Sequence, residues 1–268
     1  MADPSPYQKI AVASTFSPRF DHVLAEGKRI RDRFSSALSL IYVGERTEET
    51  TQKFRNALAK IGLPDDSTVH YEKGDPADGI LRALREKEID MIIAGALEKE
   101  LVLHPFLGNV ARRLVRDAEC SVMLFTRPEH EPKRMKRIVF VANYSDQARE
   151  ALKRTFHLAL GESCERLYVT KMVTTFDEAR NKARKSGKKS KDDQEAELEE
   201  FILSAGQTDV PIEARLIRGN TGFAIADFAK SVDANLMVVP TTSSGGETLP
   251  ANVAWLTDVI PCNLWLIR

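Results

Sequence analysis

Long hydrophobic runs are missing from this sequence. Its apolar residues come in runs of about five, well short of the roughly 18 that suggest a membrane helix, so no membrane role is expected. The opening "MADPSPYQK" has no basic stretch followed by an apolar core, so no secretory leader is expected and the cytoplasm is the default compartment. Cysteine is scarce: Cys120, Cys164 and Cys262 are odd in number and far apart, which suits reduced thiols better than a disulfide framework or a cysteine metal site. Net charge is absent too, with 39 basic residues against 39 acidic ones. No global field would draw the chain to nucleic acid or to an anionic membrane.

Catalytic signatures are equally thin. No two of His22, His70, His104, His130 and His157 stand four apart, and there is no His-Glu-x-x-His, Cys-x-x-Cys or Gly-x-Ser-x-Gly. Metal catalysis and the common hydrolase elbow therefore have no support, and no catalytic or metal-binding residue is singled out.

What the chain does have is an internal repeat. "KIAVASTFS" at Lys9–Ser17 matches "RIVFVANYS" at Arg137–Ser145. "KGDPADGILRALREKEIDMIIAG" from Lys73 matches "RGNTGFAIADFAKSVDANLMVVP" from Arg218, pairing Gly74 with Gly219, and "LVRDAECSVMLF" from Leu114 matches "LTDVIPCNLWLI" from Leu256. Three matches in one order imply two copies of one domain. The offset grows from 128 to 145 between the first two matches, which places an insertion in the second copy. It is the charged stretch 177–201, expected to be a solvated helix pair or loop, with a basic contact for an anionic partner as the alternative. Two prolines and a charge run in "TRPEHEPKRMK" mark a linker, giving domains 1–128 and 137–268 joined by 129–136.

Each copy alternates strand-like and helix-like segments. In the first, "KIAVA", "ALSLIYV", Thr68–Glu72, "MIIAG" and "SVMLF" read as strands, with helices over Phe20–Phe34, Thr50–Ile61, Ala77–Lys87 and Val110–Asp117. Nearly continuous apolar strands suit a parallel sheet covered on both faces. Right-handed crossovers then give a doubly wound α/β domain with five strands. The last strands, "SVMLF" and "NLWLI", would be bare edges unless they met, so one chain is expected to imitate a dimer internally; association of two chains is left open.

A first strand ending in "STFS" or "ANYS", a Gly-Asp-Pro-Ala after the third strand and a glycine-bearing loop after the fourth resemble the universal stress protein family in its tandem form. The resemblance implies Rossmann-like domains of the adenine nucleotide alpha hydrolase type, in cytoplasmic regulatory or protective proteins, some of which bind ATP. In the ATP-binding members the loop runs Gly, two residues, Gly, nine residues, Gly, then Ser or Thr. "GALEKELVLHPFLGN" keeps Gly95 and Gly108 at that spacing but carries Glu98 and Asn109 in the other two places. Small residues let backbone N–H groups reach phosphate oxygens at a helix start. A glutamate there opposes a triphosphate by about 4 kcal/mol per unit charge at ~4 Å and an effective dielectric near 20. Asn109 is expected to serve as the helix N-cap.

The family's aspartate after the first strand is replaced by Thr15 and Asn143. The second loop, "TTSSGGET", with Ser243 at the Glu98 place, could hold an anion on its backbone. Gly74 and Gly219 fit a turn before a helix, the turn that touches ribose in ATP-binding relatives. Two readings stand. One is a non-catalytic stress protein with degenerate nucleotide loops, acting through protein contacts or ligand sensing. The other is an adenine-nucleotide binder with at most slow ATPase activity, using Thr15, Gly95, Gly108 and Asn109. A sensor of apolar ligands is the third class.

Overall fold

The computed structural model describes residues 5–64, 67–96, 107–175, 191–241, 254–257 and 260–268. Among these, the chain divides into a first compact unit ending at Lys133 and a second beginning at Arg134.

The first unit runs β1 (Lys9–Ser14), α1 (Phe20–Phe34), β2 (Ala37–Val43), α2 (Glu48–Lys60), β3 (Val69–Glu72), α3 (Pro76–Glu86), β4 (Met91–Gly95), α4 (Asn109–Asp117) and β5 (Ser121–Phe125). Its strands lie in the order β3-β2-β1-β4-β5, every neighbouring pair parallel. The strands carry the apolar runs that a doubly covered sheet demands: Ile10, Val12, Leu40, Ile41, Ile92, Ile93, Val122 and Phe125 are fully buried. Helix α1 is drawn close to that sheet, because a methyl group at Gly27 would stand only 2.5 Å from Val12 Cγ2. Helix α2 starts in a capping box, with Thr47 Oγ1 accepting from Thr50 N–H and Thr50 Oγ1 from Thr47 N–H.

The second unit repeats the plan with β6 (Arg137–Val141), α5 (Asp146–Gly161), β7 (Arg166–Val173), α6 (Lys191–Ser204), β8 (Ile212–Arg218), α7 (Phe223–Ser231), β9 (Leu236–Pro240), a short 3₁₀ turn (Trp255–Thr257) and β10 (Asn263–Ile267). The order β10-β9-β6-β7-β8 is the same winding, again all parallel.

The charged insertion differs from expectation. Its later part is helix α6, and Leu198, Phe201 and Ile202 are buried at the one-turn spacing of an amphipathic face. Asp192, Asp193, Glu199 and Glu200 stay exposed, and this part of the insertion is a core-bearing helix; 176–190 lie outside the described residues. The proline-rich linker is packed as well. Pro128 is buried, its carbonyl meets His22 Nδ1 at 3.2 Å, and His130 sets its ring edge-on to His22.

Candidate ligand cleft

In the first unit β1 leads to β2 on one side, while α3 carries the chain across to β4 on the other. The two crossovers diverge at the C-terminal ends of β1 and β4, where a doubly wound sheet must leave a crevice. There the structure has a cleft of about 740 Å³, within the roughly 300–1,000 Å³ typical of small-molecule sites.

The cleft is built from strand ends and helix starts. Ser14 ends β1 and Thr15 and Phe16 follow it, Tyr42 and Val43 end β2, and Ala94, Gly95 and Ala96 lie at the end of β4; Phe20, Pro76, Ile80, Gly108, Val110 and Ala111 come from the starts of α1, α3 and α4, and Pro128 stands just before the linker. Ser14 Oγ already donates to the Val12 carbonyl, whereas Thr15 is exposed and its hydroxyl has no partner among the described residues. Gly95 is sterically constrained, since a Cβ there would lie 3.0 Å from Val23 Cγ2.

The α4 end supplies the polar component. Gly108, extended at φ −65° and ψ 161°, is the N-cap and brings no side-chain bond; its carbonyl accepts from Arg112 N–H at 2.9 Å. The expected cap at Asn109 is thereby corrected. Asn109 already has helical geometry as the first residue of α4 and is exposed, so its side chain cannot reach back over the first-turn N–H groups as a cap would. Those groups have no acceptor within the helix, and with the helix dipole they favour an anion. Arg19 is the one charged side chain among the described cleft residues.

The opposite wall is aromatic. Phe16, more than a third exposed, lies 4.7 Å from Phe54, 5.1 Å from Tyr42 and 6.2 Å from Phe20 between ring centres, with Lys53 Nζ 5.3 Å over its face. A flat or apolar group has a surface to rest on there. Behind the cleft, Arg113 of α4 reaches Asp78 at 2.7 Å, Asp117 at 3.2 Å and Asp75 at 3.5 Å. Asp78 and then Asp117 hold its guanidinium protonated even more firmly than usual.

The candidates read from sequence separate into groups. Thr15, Gly95 and Gly108 meet in the cleft, while Gly74 and Asn109 lie outside its lining. Asn143 Oδ1 is engaged by Ser145, whose N–H and Oγ donate at 3.1 and 2.6 Å, while Ser145 Oγ accepts from Ala148 N–H to start α5. Gly219 packs against Ala224, whose Cβ would be 2.5 Å from an added methyl. Glu98, His104 and Ser243 lie outside the described residues. Sequence reasoning missed Phe16, Tyr42, Ile80 and Pro128 as wall residues; the pair Phe16 and Phe20, one helical turn apart just after a strand, was the available signal.

Fold and cleft together define a tandem doubly wound α/β protein with a ligand-sized crevice at the switch point of its first unit. The family model described as "Universal stress protein family" matches residues 43–126 and 135–253, and the chain belongs to that family. A universal stress protein of Methanocaldococcus jannaschii is 28% identical over 91 residues, 33% of this chain and 54% of that protein. One of Methanothermobacter thermautotrophicus is 30% identical over 86 residues, 31% of this chain and 58% of that protein. The chain thus spans a little over half the length of these curated relatives. The solved universal stress protein of Archaeoglobus fulgidus shares the fold at 14% identity, with a TM-score of 0.69 over 99% of both chains.

Proposed function

We propose that this protein is a non-catalytic stress-response protein of the cytoplasm whose first unit senses a small molecule and whose response is passed on through protein contacts. The observation that carries the reading is the pairing, in one cleft of about 740 Å³, of an aromatic wall with a helix start that has no side-chain cap. Such a cleft suits a ligand with a flat part and an anionic part.

A second reading, an adenine nucleotide with at most slow hydrolysis, is favoured by Gly95 and Gly108 both lining the cleft with Thr15. Against it stand the missing carboxylate at Thr15 and the glutamate at position 98. Calorimetric titration with ATP and Mg²⁺ separates the two. Saturable binding tighter than roughly 100 µM moves the assignment to the nucleotide reading. Weak or no binding that appears once Glu98→Gly is introduced identifies that carboxylate as the block and supports the first reading.

A further inference from the structure

A second depression, of about 400 Å³, lies on the outer edge of the first unit, between α2 and the edge strand β3. Its floor is Phe54 and Tyr71, and Arg46, Thr51, Arg55 and Thr68 stand around it. Thr51, Phe54 and Arg55 fall at helical spacing on one face of α2, the face that meets β3.

The charges set this place apart. The protein is neutral overall, and other arginines of the first unit are paired with acids: Arg31 with Asp32 at 2.7 Å, Arg82 with Glu72 at 2.6 Å and Arg116 with Asp117 at 2.7 Å. Two carboxylates close by in sequence are taken, Glu72 by Arg82 and Glu49 by Lys53 at 2.6 Å, while Glu45 and Glu48 are exposed and pair with neither arginine among the described residues. Arg46 and Arg55 pair with no carboxylate among the described residues. Arg46 instead lies over the Tyr71 ring, 5.7 Å from its centre, and Arg55 makes no hydrogen bond there. Thr51 Oγ1 gives its proton to the Thr47 carbonyl at 2.8 Å, so in the long 3.4 Å contact with Thr51 the Tyr71 hydroxyl is the donor, a weak bond among the described residues that a closer anionic acceptor would replace.

We propose that this depression is a binding site for a small aryl anion, a carboxylate or phosphate on a flat apolar body. The anion would meet the two guanidinium groups, whose planar donors match two oxygens at once, and the Tyr71 hydroxyl. The ring would lie against the half-buried Tyr71, with the buried Phe54 packed beneath it. This site is separate from the cleft at Gly95 and Gly108, and neither assignment depends on the other.

The probes are phenyl phosphate, benzoate and inorganic phosphate, titrated into the full chain and followed by amide NMR shifts. Phenyl phosphate and benzoate are expected to saturate in the low-millimolar range or below, with shifts at Thr51, Arg55 and Tyr71, and inorganic phosphate to bind several-fold more weakly for want of a ring. Arg55→Gln and Arg46→Gln are each expected to weaken phenyl phosphate about tenfold. Tyr71→Phe should weaken it less. Both arginines are exposed, so these variants keep the fold, checked by an unchanged unfolding midpoint.

No saturation, affinity indifferent to both arginine changes, or shifts confined to the neighbourhood of Gly95 and Gly108 each overturn the proposal. Asp65 and Asp66, which precede Ser67 in the chain, lie outside the described residues. If their double change to asparagine creates binding that the native chain lacks, those acids own the arginines and the proposal fails.

Discussion

The two units enter their third helix in different ways at matching positions. In the first, Gly74 takes φ +96° with no described residue within 4 Å of an added methyl, so it is there for its backbone angle. In the second, Gly219 is there for space, against Ala224. Asp75 caps α3 through Ala77 and Asp78 N–H groups; Asn220 turns away and accepts from Thr175 N–H and Oγ1 at 2.9 and 3.0 Å. Where the first unit ties α4 to α3 with Arg113, the second lays the Trp255 indole on Gly222 so closely that a methyl there would sit 2.0 Å from the ring. One sequence column can thus be held by unrelated physical constraints, and the junction that frames a cleft in one copy is an aromatic packing point in the other.

The widest gap between the units should appear with Gly222→Ala. The displaced Trp255 is expected to cost about 1–3 kcal/mol by overpacking, read from urea unfolding together with a change in tryptophan emission. The matched Ala77→Gly should cost only about 0.5–1 kcal/mol, and a neutral Gly222→Ala would remove the indole from our account. Next come the paired glycines. Gly219→Ala is expected to cost about 1–3 kcal/mol and to be largely restored by Ala224→Gly in a double-mutant cycle. Gly74→Ala should cost about 1–2 kcal/mol for its backbone angle, with no companion change able to restore it.

Asp75→Ala should cost about 1 kcal/mol through the lost cap, more than Asn220→Ala, whose exposed bonds are worth about 0.5–1 kcal/mol; equal losses would erase that contrast. The smallest effect concerns acid. Arg116 first, then Arg113, holds the Asp117 carboxyl below its ordinary value against the opposing effect of burial. A carboxyl lowered on folding stabilises fully above its unfolded value of about 3.9 and loses that contribution as pH falls through the folded one. Acid titration of stability should therefore soften in Asp117→Asn. The second unit has Val259 at the matching place, so a response of equal size there would contradict the assignment.

The fold was legible in the sequence because its signals are local and doubled. Apolar runs such as "MIIAG" and "SVMLF" are too short for buried helices and suit covered strands, and the repeat fixes their order twice. The cleft was half legible. Gly95, Gly108 and Thr15 stand at ends of elements, where spacing along the chain predicts position, but the aromatic wall joins residues 16, 20 and 42, which only the parallel winding brings together. Asn109 was misplaced by one residue because an asparagine is a good cap by type, while the extended backbone of Gly108 decides where the helix begins. Helix α6 was hidden by composition, its few buried residues outnumbered by charge.

One contact outside the cleft bears on how the copies can be handled as separate pieces. Glu26 and Arg29, both nearly buried, form an ion pair on α1, and Arg29 Nη1 donates to the carbonyl of Lys133 at 2.9 Å. A breakpoint at residue 128, where composition alone would cut, removes that acceptor and strips the cover from a guanidinium that burial makes costly to leave half satisfied. Excision of the first copy, or its graft into another chain, therefore needs the peptide through Lys133: five residues that look like spacer serve as the last fastening of the first domain.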